Sequence, residues 1–108
     1  MGMIMVTTTD GFEGYRIVEY MGIVRGISIR VPRIGLRDIH DGIEDDYIEL
    51  CDNSRNDAYN KLIDDAVKWG ANAIVGFRTD SCKLSNSDNA TEVVMYGTAV
   101  KIDKVMFD

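Results

Sequence analysis

Metal ligands are the first chemistry that the residue types allow, but they are few and scattered. His40 and Glu44 are four residues apart, so they would share one face if this stretch is helical. Cys51 and Cys82 are the two cysteines, and they form no Cys-x-x-Cys pair. The other acidic residues near His40 and Glu44 are Asp38, Asp41, Asp45 and Asp46. A divalent metal ion is therefore the one cofactor that the sequence allows us to consider, and none is predicted with a complete site.

The spacing of these residues does not build a metal site within one chain. A zinc site needs three or four nitrogen or sulfur ligands that converge at about 2.0–2.3 Å. His40 and Cys51 would lie about 16 Å apart along one helix, so they cannot bind one ion together. Ring symmetry could gather copies of one residue around an axis, but a single sequence cannot show this. We interpret His40 as a surface residue and Cys51 as a small buried hydrophobe.

Nucleophilic catalysis lacks partners in this sequence. Cys82 is predicted to lie in a polar loop, and it would react only as a thiolate. His40 is the only imidazole available as its base. The acidic run Glu44-Asp45-Asp46 is interpreted as a solvated helix start, where carboxylates are favourable. No catalytic residue is predicted, so an enzyme with a site between subunits is the last of the alternatives.

Two charged residues stand next to apolar ones. Glu19 interrupts an apolar strand, and Arg55 adjoins the apolar stripe of a predicted helix. A half-buried charge is costly unless it is paired. We therefore hypothesise an ion pair between Glu19 and Arg55, either from helix to sheet or across subunits. The alternative, in which both side chains reach solvent, stays open.

Composition and charge exclude several classes of partner. The 108 residues suggest one domain that spans 1–108, with a formal net charge of −6. Such acidity argues against nucleic acid, whose binding depends on clustered Lys and Arg, and against anionic membrane surfaces. No apolar run approaches the roughly 18–20 residues of a membrane span, and no signal peptide is recognisable. We expect a cytoplasmic protein, in which the two cysteines form no disulfide framework.

The periodicity of apolar residues predicts four strands and one long helix. The stripe Tyr47, Cys51, Ser54, Ala58, Leu62, Ala66 and Trp69 predicts the helix, and residues 33–46 are the least certain stretch. The strands are predicted over Met3–Thr8, Arg16–Val31, Asn72–Asp80 and Glu92–Ile102, with a polar loop over Ser81–Ala90.

Glycines mark the places where we expect special backbone geometry. Gly70 is the expected stop of the helix, and Gly76 is expected to let another element pack closely. Gly22 and Gly26 suggest a bend, a bulge or a close backbone approach. Gly97 is expected to let the helix sit close to the last strand. Between Gly70 and Gly76, Asn72 and Ala73 are expected to redirect the chain from the helix to the next strand.

The element order indicates an α+β fold, with two layers formed by an antiparallel sheet of three or four strands and one helix. One helix covers one face of such a sheet. The other face keeps Ile, Val and Tyr residues, and a chain of this size has nothing left with which to cover them. Because exposed apolar patches of this kind usually mark an interface, the sequence predicts self-association, most simply as a closed ring.

Four parts of the sequence together carry a family resemblance: Arg16–Val24, Tyr47 with Arg55 and Ala58, Trp69–Gly76, and Tyr96–Val100. They resemble the YbjQ-like family, whose label as heavy-metal-binding proteins names no mechanism. The resemblance implies a two-layer subunit, similar to the dodecin subunit, that assembles as a homopentamer. The stretch between Pro32 and Tyr47 departs from the family, because it is shorter and lacks a Gly-Gly-Arg turn.

Two functions follow as the principal alternatives. The first is a homo-oligomeric binding or scaffold module, with itself as the expected partner. The second is a protein that binds a divalent or heavy-metal ion, which depends on the family label and on the acidic stretch from Asp38 to Asp46.

Overall fold

The computed structural model describes residues 3–30, 43–83 and 91–106, and for residues 30, 43–52 and 83 it describes the backbone alone. The elements in chain order are β1 (Met5–Val6), β2 (Tyr15–Arg30), α1 (Ile43–Lys68), β3 (Ala73–Lys83) and β4 (Thr91–Lys104). The predicted order of strands and helix is confirmed. Helix α1 begins four residues before the predicted Tyr47. The additional turn contains Glu44, Asp45 and Asp46.

The sheet has four strands in the order β1-β3-β4-β2 and is mixed. β4 pairs antiparallel with both β2 and β3, as predicted. β1 pairs parallel with β3, so the prediction of an antiparallel sheet is wrong for this strand. The pairing is made by bonds such as that from the Thr7 N–H to the Ile74 carbonyl, at 3.0 Å. A strand of two residues has no periodicity from which its partner could be predicted.

Helix α1 covers one face of the sheet and forms the main core there. Ser54, Ala58, Leu62 and Ala66, which belong to the predicted stripe, are all buried. They pack with the residues of β2, β3 and β4 that point toward the helix, among them Val24, Ile74, Val93, Met95 and Ala99. Trp69 was predicted to continue the stripe, but it is 58% exposed because the helix ends at Lys68.

The helix passes directly over Gly26 of β2. A Cβ atom at this position would overlap the carbonyl oxygen of Ala58 and would lie 2.6 Å from the backbone nitrogen of Leu62. The close backbone approach predicted for Gly26 is therefore confirmed. Gly22 lies at a register shift between β2 and β4, which confirms the predicted bulge.

Gly70 ends helix α1 as predicted, in the left-handed conformation with φ of 79°. The Ala71 N–H donates to the carbonyl of Ala66 at 3.1 Å, and the Gly70 N–H donates to that of Val67 at 3.0 Å. This pair of bonds is the Schellman arrangement, which satisfies the last carbonyls of a helix.

Two other glycines act differently from the prediction. Gly76 has φ of 64° and lies at a bulge of β3, where it and Phe77 stand opposite Gly97. No atom lies within 4 Å of a Cβ built at Gly76, so its role is conformational and the predicted close packing is wrong. A Cβ at Gly97 would meet Ile74 Cγ2 at 2.6 Å, so Gly97 makes room for β3 rather than for the helix.

Asn72 joins the helix exit to β4 through its side chain. Its Nδ2 donates to the carbonyl of Ile102 at 2.9 Å, and its Oδ1 accepts from the Ile102 N–H at 2.8 Å. The amide therefore pairs with β4 as a strand residue would. This gives a physical basis to the predicted redirection of the chain at Asn72.

We expect Asn72→Ala to lower the free energy of unfolding by about 1–3 kcal/mol, because both backbone groups of Ile102 lose their partner in a partly buried site. Urea unfolding followed by circular dichroism measures this loss. The matched control is Asn60→Ala on the exposed side of α1, which should be neutral or slightly stabilising. Equal stabilities of the two variants would contradict the structural role of the Asn72 amide.

A second, smaller core lies on the sheet face that points away from the helix. It contains Ala73, Val75, Val100 and Ile102; Phe12 packs against it from the segment before β2, and Ile17 packs against it from β2 itself. The expectation that nothing in the chain covers this face is therefore wrong at one end, because the segment before β2 folds over it.

Among the described residues, no helix combines the length and apolar character that a membrane crossing needs.

Candidate functional site

The rest of the face that points away from the helix carries exposed apolar side chains. Along β2, Val24 is buried under the helix, so its neighbours in the alternation point to the opposite face. Ile23 and Ile29 are 78% and 60% exposed. The register shift between Tyr20 and Gly22 brings Tyr20 to the same face, where it pairs with Val100 and is 70% exposed. Ile27 is half-buried on the same side. The predicted uncovered apolar face is thus present over this part of the sheet.

The register with β4 makes these residues one continuous surface. Ile27 pairs with Val94, Ile23 with Thr98, and Arg25 with Tyr96. Paired residues on one face of an antiparallel sheet have Cβ atoms about 4.5–5.5 Å apart, so their side chains touch. We use the name apolar sheet face for Tyr20, Ile23, Ile27, Ile29, Val94 and Tyr96.

Polar groups border the apolar sheet face on the β3 side. The Tyr96 hydroxyl donates to Oδ2 of Asp80 at 3.0 Å. This bond, together with the negative charge of Asp80, raises the pKa of Tyr96, which extends to higher pH the range over which the phenol is a neutral donor. The guanidinium of Arg78 donates from Nη1 to the carbonyl of Thr8 at 2.9 Å. These bonds fix the polar border and provide no nucleophile or base.

A second polar region lies between α1 and β2. Arg25, Lys61, Asp64, Asp65 and Lys68 line an open cavity of about 340 Å³. The charges of three cations and two carboxylates largely cancel. The cavity therefore has no strong preference for an anionic or a cationic ligand. Such a mixed surface lacks the apolar walls and convergent polar groups that are typical of a small-molecule site.

Of the four candidate metal ligands, the structure describes the side chain of Cys82. His40 lies outside the described residues, and Glu44 and Cys51 belong to α1 but their side chains are not described. Cys82 lies on β3, where it is exposed, so its predicted place in a loop is wrong. Within residues 3–30, 43–83 and 91–106, no three His, Cys, Asp or Glu side chains are grouped so that they could bind a metal ion.

The hypothesised ion pair between Glu19 and Arg55 does not form within one chain. Both side chains are exposed, and the salt bridge found among the described residues joins Lys61 to Asp57. The helix runs antiparallel to β2: Lys61 bonds to Ile27, and Asp57, two residues after Arg55, hydrogen-bonds to Ser28. Glu19 is nine residues from Ser28, about 30 Å along the strand. Only the pairing across subunits remains as a prediction.

Sequence reasoning missed the polar contacts that hold the elements together. The Tyr96–Asp80 bond, the Asn72–Ile102 bonds and the contacts of Lys61 and Asp65 with β2 depend on strand register and helix placement. The types of these residues gave no signal, because Asp, Lys and Asn are ordinary surface residues.

Comparison with known proteins gives relatives over nearly the whole chain. The model of the YbjQ family, described as "Putative heavy-metal-binding", matches residues 3–103. A UPF0145 protein of Saccharolobus islandicus is 39% identical over 107 residues, which cover 94% of this chain and 92% of that protein. UPF0145 proteins of Legionella pneumophila strain Lens and of Francisella philomiragia are 40% identical over 105 residues, covering 92% of this chain and 98% and 99% of those proteins.

A solved structure supports the fold. The crystal structure of a DUF74-family protein with unknown function from Pediococcus pentosaceus matches with a TM-score of 0.64 at 22% identity. The match covers 93% of this chain and 98% of the other. The two proteins therefore share the small α+β fold, with a mixed sheet and one helix. Since the family model spans almost all of the chain, this protein belongs to the YbjQ family of UPF0145 proteins.

Proposed function

We propose that this protein acts as a homo-oligomeric binding or scaffold module, whose subunits contact one another through the apolar sheet face. The observation that carries the proposal is the exposure of Tyr20, Ile23 and Ile29 in one contiguous surface. Single exposed apolar residues are ordinary on monomers, but a contiguous patch with a polar border is typical of an interface.

The shape of the chain supports association. Its extents are 66 × 27 × 23 Å and its radius of gyration is 17.7 Å. A compact domain of this length would have a radius of gyration of about 13 Å. The chain is therefore elongated and exposes more surface than a compact domain would, and a second copy is the simplest molecule to cover part of that surface.

A closed ring of five subunits is the assembly that we favour, on the strength of the family resemblance. The apolar sheet face of one subunit would meet a different surface of the next, since head-to-tail contacts of this kind close into rings. In such a ring, the hypothesised ion pair would join Glu19 of one subunit to Arg55 of another. The described residues give no support to the metal-binding and enzymatic alternatives, which we do not propose.

The mass in solution tests the proposal. Light scattering after gel filtration, or native mass spectrometry, should give five times the chain mass of 12.1 kDa. The double substitution Ile23→Lys with Ile29→Lys should weaken association at least about a hundredfold, because each buried isoleucine contributes about 1.5–3 kcal/mol.

The matched control is Val67→Lys, which places a lysine at an exposed apolar position of α1, away from the apolar sheet face. It should keep the mass of the native protein. Circular dichroism must show the native helix content in all variants. A native protein that is monomeric at micromolar concentration, or a double variant with unchanged mass, would refute the proposed interface.

A further inference from the structure

Strand β2 lies at the edge of the sheet, and part of its open side is bonded to helix α1. β4 pairs with one side of β2. On the other side, Nζ of Lys61 donates to the carbonyl of Ile27 at 3.0 Å, and the Arg25 N–H donates to Oδ2 of Asp65 at 3.3 Å. Alternate residues of a strand direct their N–H and C=O groups to the same side, so both bonds occupy the open edge.

The side chains of Lys61 and Asp65 are positioned by the close contact between helix α1 and β2. Gly26, which lies between Arg25 and Ile27, is the point where β2 touches the backbone of α1. Lys61 and Asp65 are one helical turn apart, so they follow the strand direction on the same side of the helix. Lys61 also bonds to Asp57 at 3.0 Å, which fixes its ammonium near β2.

The charge of Asp57 is favoured in this arrangement. Its hydrogen bond with Lys61, and then that with Ser28, lower the pKa of its carboxyl below the ordinary value. Asp57, Lys61 and Asp65 thus form a stripe of three charged side chains that follows the edge from Ser28 to Arg25. We call these three residues the edge stripe.

We propose that the edge stripe closes β2 against strand addition between Arg25 and Ser28. An open edge strand offers unpaired N–H and C=O groups to any other extended chain, most readily to a second copy of the same protein. Here one such donor and one such acceptor are already bonded to side chains, and Lys61 lies in the path of an incoming strand. The device directs a second copy away from this edge. It does not depend on the number of subunits in the assembly.

The double substitution Lys61→Ala with Asp65→Ala tests this role. The amide of Arg25 loses its acceptor, so its hydrogen exchange, measured by NMR, should become at least about tenfold faster. The opened edge should also produce species larger than the native assembly, detected by light scattering and thioflavin T fluorescence during storage.

The control is Asp64→Ala with Lys68→Ala, which removes one charge of each sign from the same cavity. Neither residue bonds to the β2 backbone in the described chain, so exchange and size should match the native protein. Asp65→Asn keeps an acceptor oxygen and should restore most of the protection of the Arg25 amide. If the first double variant behaves like the control in both measurements, the edge stripe does not close the edge. The size of the native protein, which tests the proposed oligomer, is a separate result.

Discussion

Gly26→Ala will lower the free energy of unfolding by about 3 kcal/mol or more, the upper part of the range for overpacked cores. The new methyl group would overlap the Ala58 carbonyl oxygen and would lie 2.9 Å from the carbonyl carbon and 2.6 Å from the Leu62 nitrogen. These are backbone atoms of α1, so no side chain can rotate away. The helix must move off the sheet, and every apolar contact beneath it weakens.

Chemical unfolding at one fixed protein concentration measures the loss, because the stability of an oligomer depends on concentration. Gly11→Ala is the matched control, since no atom lies within 4 Å of a Cβ built there. It should leave stability nearly unchanged. If Gly26→Ala proved as stable as Gly11→Ala, the helix would not be seated on Gly26 in the way the structure shows.

The parts of the fold that could be predicted from sequence are those that depend on local patterns. The spacing of Ser54, Ala58, Leu62 and Ala66 predicts one buried stripe, and the structure buries all four. Gly70 is predicted as the helix stop because few other residues accept its φ of 79°. Both features are decided by residues that are close together in the sequence.

The missed parts depend on which distant residues meet. The direction of β1 is set by its pairing with β3, some seventy positions later in the chain. Gly97 was assigned to the helix contact, although Ile74 of β3 occupies the space beside it. In each case the residue type was informative, but its neighbour could be known only from the register of the sheet.

The same division applies to the candidate site. The alternation of Ile23, Ile27 and Ile29 with Val24, Gly26 and Ser28 predicts a strand with one buried face, because period-two patterns report the two faces of a strand. The structure buries Val24 and Ser28 and leaves Ile23 and Ile29 exposed, so the pattern separates the two faces without showing which one the helix covers. The pattern could not show that Phe12 packs over one end of the sheet face that points away from the helix. The cover comes from the loop before β2, whose path no pattern records.

Leu62→Ala is the second variant from which we expect a large effect, about 3–5 kcal/mol. Leu62 is 0% exposed and is among the largest fully buried side chains of the described residues, packed between α1 and the sheet. Its removal leaves a cavity beside Val24 and Ile74, whose positions are fixed by strand pairing. The strands cannot move to close the space. The loss of stability therefore includes both the lost transfer free energy of the removed atoms and the cost of the remaining cavity.

A series of substitutions separates this cavity from a general effect of changing the helix. Leu62→Met keeps most of the volume and should cost less than about 1.5 kcal/mol. Val67→Ala removes apolar atoms at a position that is 53% exposed, so it should change stability only slightly. Urea unfolding of the three variants should rank Leu62→Ala far below the others. If Leu62→Met were as costly as Leu62→Ala, the shape of the leucine rather than the filled volume would decide the stability of the core.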